Sequence, residues 1–127
     1  MTFSSEWNVL IMEFKSTHRY ARISPRKARY VVDLVRGKSV NDALRILRVT
    51  HKRASYMVDK VIRAALSAAN NNIDVDVDSL VLAQVLVDCG PTRKWHRTRP
   101  RGMAAPILKR TSHITVVLSE KGKNLSV

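Results

Sequence analysis

Arg93, Lys94, Arg97, Arg99, Arg101, Lys109 and Arg110 fall between Cys89 and Ser119 with no Asp or Glu among them. Guanidinium groups fork onto phosphate oxygens and lie flat on bases, and the rings of Trp95 and His96 set among them offer further stacking faces. Gly102, Ala104 and Ala105 let a partner's backbone come close. Unpaired bases and phosphates within reach of one another are what a folded RNA presents. If all seven cations met phosphates, binding would weaken with salt at a log–log slope of about five, at roughly 0.7 to 0.9 per contact. Pro91, Pro100, Gly102 and Pro106 punctuate the stretch as a shaped segment rather than a solubilising tail.

Other chemistries find less support. Catalysis would have to recruit Asp88, Cys89, His96 and His113, none of which stands at a nucleophile or metal-ligand spacing. Asp74, Asp76 and Asp78 alternate with valines in the manner of a calcium loop. Counted from Asp74, however, the sixth position is Ser79 where glycine is needed, and the twelfth is Val85 where glutamate is needed. No metal, no cofactor and no enzymatic activity are expected. Cys89 is the single cysteine and forms no internal disulfide, in keeping with a reducing compartment.

The elements that must position the basic stretch are legible from composition and periodicity. The 127 residues carry 23 Lys or Arg against 10 Asp or Glu, a formal charge of +13, and 45% are hydrophobic. One folded domain with one core follows, together with a need for a polyanionic partner. The longest apolar run, Leu80 to Val87 interrupted by Gln84, is far short of the roughly 20 residues of a membrane-spanning helix, so no span is expected. Residues 1–14 hold Glu6 and Glu13 and no basic residue, unlike a secretory or transit leader. Trp7, Leu10, Ile11 and Phe14 fall on one face of a short helix able to dock on a partner, and Met12 is an equally good start residue. The expected division is an N-terminal extension over 1–14, a single domain over 15–120 and a tail over 121–127.

Ser24-Pro25 opens a helix over about 25–36, which buries Ala28, Val31, Val32 and Val35 and stops at Gly37. Arg22, Arg26, Lys27 and Arg29 crowd its start, where the helix dipole disfavours cations unless an anion such as phosphate sits there. Asn41 or Asp42 can cap a second helix to about Arg48, burying Ala43, Leu44 and Leu47. Thr50 can cap a third to about Ala69, with Ala54, Met57, Val58, Val61, Ile62, Ala65 and Ala68 as its core stripe. Leu80 to Val87 and Ser112 to Ser119 read as antiparallel strands, the second alternating Ile114, Val116 and Leu118 against His113, Thr115 and Val117. The 24 residues from Asp88 to Thr111 that join them are far more than the two to five usual in a hairpin. Arms of 12 residues would reach about 40 Å at roughly 3.3 Å per residue, beyond any cover from their own domain. Only Trp95, Met103, Ile107 and Leu108 are large and apolar there, so such a finger should be floppy alone and ordered by its partner. Helices two and three could also form a helix-turn-helix DNA reader, the leading alternative. Against it, Val49-Thr50-His51 has no glycine, and the third helix exposes Lys52, Arg53, Lys60 and Arg63 with no interior Asn or Gln to read adenine.

The segment Leu108-Lys-Arg-Thr-Ser-His-Ile-Thr-Val-Val117, preceded by Asp88-Cys-Gly-Pro91, closely resembles the signature of the large-subunit ribosomal protein twenty-two family. His18-Arg-Tyr-Ala-Arg22, Ser24-Pro-Arg-Lys27, Val35-Arg-Gly-Lys38 and Ala43-Leu44 extend the resemblance over about Lys15 to Glu120. It implies an α+β fold of three helices packed on a small three-stranded antiparallel sheet, with a long protruding β-hairpin and a third strand between Lys15 and Ile23. It also implies a structural, cytoplasmic, ribosome-bound protein that supports subunit assembly and forms no homo-oligomer. Its partners would be large-subunit RNA, neighbouring proteins including large-subunit ribosomal protein four at the tunnel constriction, and the nascent peptide. Its RNA contacts would come from Arg19, Arg22, Arg26, Lys27 and Lys38 on the body. On the finger they would come from Arg93, Lys94, Trp95, His96, Arg97, Arg99, Arg101 and Gly102, with Lys109, Arg110, Thr111, Ser112 and His113 at its base. Arg93, Lys94, Trp95, Arg99, Arg101 and Met103 would form the tunnel tip. Met103 and Pro106 stand where the family often carries arginine.

Overall fold

The computed structural model describes residues 13–72 and 75–120. The expected docking face at Trp7, Leu10 and Ile11, the alternative start at Met12, Asp74 and the tail over 121–127 lie outside those residues. Phe14 lies within them, in a strand rather than a helix. In chain order the elements are β1 (Glu13–Ala21), α1 (Pro25–Val35), α2 (Val40–Val49), α3 (Arg53–Asn70), β2 (Leu80–Cys89), β3 (Arg93–Thr98), β4 (Ala104–Lys109) and β5 (Ser112–Glu120). Strands β1, β5 and β2 form one antiparallel sheet in that order, and β3 and β4 form a separate two-stranded ribbon. The fold is therefore the α+β arrangement that the resemblance implies.

Helix α1 starts and stops where its sequence signals stand. The Ser24 hydroxyl accepts from the Lys27 N–H, Pro25 takes the first helical position, and Gly37 at φ +80° ends the run. The next two starts differ from the expected ones. Ser39 caps α2 by accepting from the Asp42 N–H, so Asn41 and Asp42 are already inside the first turn. Thr50 closes α2 instead of opening α3, its hydroxyl donating to the Ile46 carbonyl. Helix α3 begins at Arg53 behind Lys52, which gives no side-chain cap, while the Ser55 hydroxyl donates to the Thr50 and Lys52 carbonyls. Of its expected stripe, Met57 is half-buried and Ala68 is exposed, and Ala69 completes the buried row with Ala54, Val58, Val61, Ile62 and Ala65. Four residues beyond Ala65 returns to the buried face, and three falls short of it here.

The core lies between the three helices and one face of the sheet, where Ile114, Val116 and Leu118 of β5 meet Val32, Val58 and Ile62. Because β5 is flanked on both sides, Thr115 and Val117 of its other row are also less than a tenth exposed. The outer edge of β2 is closed by the α1–α2 segment. The Leu82 N–H donates to the Lys38 carbonyl at 2.9 Å. One guanidinium nitrogen of Arg36 donates to the Val85 carbonyl and one of Arg29 to the Val87 carbonyl, each at 3.0 Å. Arg29, counted among the cations at the helix start, thus serves the sheet edge. Replacing Arg29 and Arg36 together with alanine should cost roughly 1 kcal/mol per lost hydrogen bond and open a row of carbonyls to edge pairing. A lower denaturant midpoint with increased light scattering at high concentration is the expected result.

Candidate nucleic-acid interface

The sheet hands the chain to the hairpin through a narrow neck. Cys89 pairs with Ser112 at the end of the sheet, the Gly90 N–H donates to the Thr111 carbonyl, and the ribbon resumes at Arg93 opposite Lys109. A Cβ at Gly90 would collide with the Thr111 hydroxyl, which itself donates to the Pro91 carbonyl at 2.6 Å. Glycine is required there for the two strands to pass this closely. The ladder then runs through Trp95 opposite Ile107 and Arg97 opposite Ala105 to Thr98 opposite Ala104. Six residues per arm at about 3.3 Å each give the paired ribbon a length of roughly 20 Å, to which the neck and the turn add at either end. Its backbone ladder also gives it a defined shape where composition alone suggests disorder.

The turn comprises Arg99 to Met103. The Arg99 N–H donates to the Met103 carbonyl at 2.7 Å, and Arg101 and Gly102 both take left-handed backbone angles, φ +65° and +70°. This geometry corrects the expected tip. Arg99, Arg101 and Met103 occupy the turn, whereas Arg93, Lys94 and Trp95 belong to the ribbon's base, because Arg93 pairs with Lys109 directly beyond the neck. Every residue of β3 is exposed, and Trp95 presents 60% of its surface. Among the described residues none of the seven basic side chains between Arg93 and Arg110 has an ion-pair partner; the ion pairs there are Arg36–Asp33 at the end of α1, Arg45–Asp42 on α2 and Arg63–Asp59 on α3.

Between the ribbon's base and the body lies a cleft of about 850 Å³. The ribbon contributes Arg93, Trp95 and Lys109, the neck contributes Arg110 and Thr111, and the body contributes Tyr20, Arg22, Lys27 and Arg53. Tyr20 and Arg53 were not among the expected contacts. Tyr20 interrupts the β1–β5 register with a left-handed backbone at φ +59°. His113 holds it there: Nδ1 accepts from the Tyr20 N–H at 3.0 Å, and the two rings meet edge to face with centroids 5.0 Å apart. The Arg19 guanidinium lies 5.2 Å from the centre of the same ring. Arg26 is exposed beside the cleft, its Nε donating to the Tyr30 hydroxyl.

Two expected contacts fall elsewhere. Ser112 is fully buried and paired on both sides in the sheet, so its hydroxyl is not available to a partner. Lys38 is exposed but sits at the far end of α1, about 16 Å along an 11-residue helix from the cleft at its start. His96 and Gly102 remain on the ribbon's exposed surface. Among the described residues no group of His, Cys, Asp or Glu is arranged to hold a metal ion, and no helix is long and apolar enough to cross a membrane.

The sequence profile of the Ribosomal protein L22p/L17e family matches residues 16–119. The large ribosomal subunit protein uL22 of Pelotomaculum thermopropionicum is 56% identical over 110 residues, which cover 87% of this chain and 97% of that protein. The protein of the same name from Halothermothrix orenii is 50% identical over 110 residues, with the same coverage of each chain. Fold, basic ribbon and sequence agree: the chain belongs to the ribosomal protein L22p/L17e family.

Proposed function

We propose that the protein is a structural component of the large ribosomal subunit, cytoplasmic and ribosome-bound, whose body docks on large-subunit RNA while its hairpin reaches inward to the wall of the peptide exit tunnel. Family membership makes it a structural, non-enzymatic ribosomal protein. The observation that carries the RNA reading is the uncompensated ribbon: seven cations between Arg93 and Arg110 without an acidic residue among them, on a hairpin whose first strand is wholly exposed. A basic surface of that density finds its counter-charge on a polyphosphate. In this proposal Arg93, Lys94, Arg97 and Lys109 bridge RNA segments along the ribbon, and Arg22, Arg26 and Lys27 hold the body. The turn at Arg99, Arg101 and Met103 faces the nascent peptide and large-subunit ribosomal protein four. Neutralising and joining RNA segments distant in sequence would support subunit assembly, with no bond made or broken.

Gradient sedimentation of a lysate containing the tagged full chain tests this. Co-migration with large subunits is the expected result. Recovery with chromosomal DNA would support the helix-turn-helix alternative instead.

A further inference from the structure

We propose that the cleft between ribbon and body is a pocket for an unstacked nucleotide of single-stranded RNA, with the base against Trp95 and its flanking phosphates on Arg22, Lys27, Arg53 and Arg110. The inference rests on the RNA-binding reading and adds to it the kind of RNA, the place and the residues. Its volume of about 850 Å³ lies within the roughly 300 to 1,000 Å³ of sites that enclose small molecules. Six cations line it, from the approach and start of α1 (Arg22, Lys27), the start of α3 (Arg53), the ribbon (Arg93, Lys109) and the neck (Arg110), and no carboxylate does. Convergence of like charges from such distant parts of the chain raises the energy of the empty cleft, and phosphate relieves it.

Phosphate attraction alone would suit any nucleic acid, and the aromatic lining narrows the choice. Trp95 lines the cleft together with the apolar Ile23 and Leu108 while leaving more than half of its surface exposed. A paired, stacked base has no free face to offer that ring, whereas an unpaired one has. The Tyr20 wall is fixed at an energetic cost: a bulky residue at φ +59° persists only because its surroundings hold it, here through the hydrogen bond and ring contact to His113. Such strain, set at the rim of a cationic cleft, fits a surface shaped for a ligand.

The test uses the full chain with Trp7→Phe, which leaves Trp95 as the only tryptophan of two. Ten-nucleotide oligouridylate, oligoadenylate and a blunt ten-base-pair RNA duplex are titrated at fixed salt, following Trp95 emission and the anisotropy of labelled RNA. The single strands should quench Trp95. Trp95→Ala should weaken their binding about ten- to a hundred-fold, with much smaller loss for the duplex, and Trp95→Phe should restore most of it. Arg53→Gln, on a different element from the ribbon, should lower the single-strand salt slope by about one. Unchanged Trp95 emission in a saturated single-strand complex, or equal losses for single strand and duplex on Trp95→Ala, overturns the pocket and leaves the broader RNA reading standing. Failure of the unaltered chain to bind either RNA overturns both.

Discussion

Replacing Arg93, Arg97, Arg99 and Arg101 together with alanine is expected to lower the log–log salt slope of RNA binding by about three, at roughly 0.7 to 0.9 per phosphate contact. The electrostatic term fades near 1 M salt, so a slope lower by three corresponds to about a thousandfold weaker binding at 0.1 M. All four side chains are exposed, and among the described residues none has an ion-pair partner. The body should therefore keep its melting temperature, surface substitutions of this kind staying within roughly 0.5 kcal/mol each. A salt titration of the variant against the unaltered chain, with thermal melts alongside, separates lost contacts from lost folding. An unchanged slope would mean that the ribbon's arginines do not meet phosphates.

Leu118→Ala should unfold the body most readily. Leu118 is fully buried in the central strand, opposite Phe14 on one side and Leu82 on the other, and packs in the main core. Truncation to alanine in such a place costs about 2 to 5 kcal/mol, a large share of the roughly 5 to 15 kcal/mol that stabilises a typical domain. Leu86→Ala is the matched control, since that leucine of β2 is 48% exposed and its loss should stay within roughly 0.5 kcal/mol. Chemical denaturation of both variants checks the difference. Similar midpoints would show that Leu118 is less tightly packed than its burial indicates.

Helix α1 could be read from sequence in full because every signal that defines it is local: a capping serine, a proline, a regular apolar row and a left-handed glycine. The starts of α2 and α3 differ from the expected ones by a few residues because Ser39 takes the cap of α2 ahead of Asn41 and Asp42, and Thr50 closes α2, leaving α3 to begin without a side-chain cap. Strand β1 carries no periodic apolar row. Glu13 to Ala21 is mostly polar on both faces, and its extended state comes from pairing with β5 about a hundred residues away, as in Thr17 opposite Thr115. Only the family resemblance indicated it. The basic ribbon was plain from composition, but which residues form its turn depends on the register imposed by the neck at Gly90 and Thr111. The cleft was hidden for a similar reason, since Tyr20, Arg53 and Trp95 become neighbours only when three separate elements close around it.

The order β1-β5-β2 has a bearing on how the molecule comes into being. The central strand is translated after both strands that it must join. Until then the two outer strands have no partner between them, and the growing chain holds helices without a sheet to rest on. Such late, long-range closure belongs to slower folding topologies, in which unpaired edges wait exposed. The Arg29 and Arg36 clasps on β2 lie on residues made before that closing step, so the outer edge of β2 can be shielded while the inner edge still awaits the strand being polymerised.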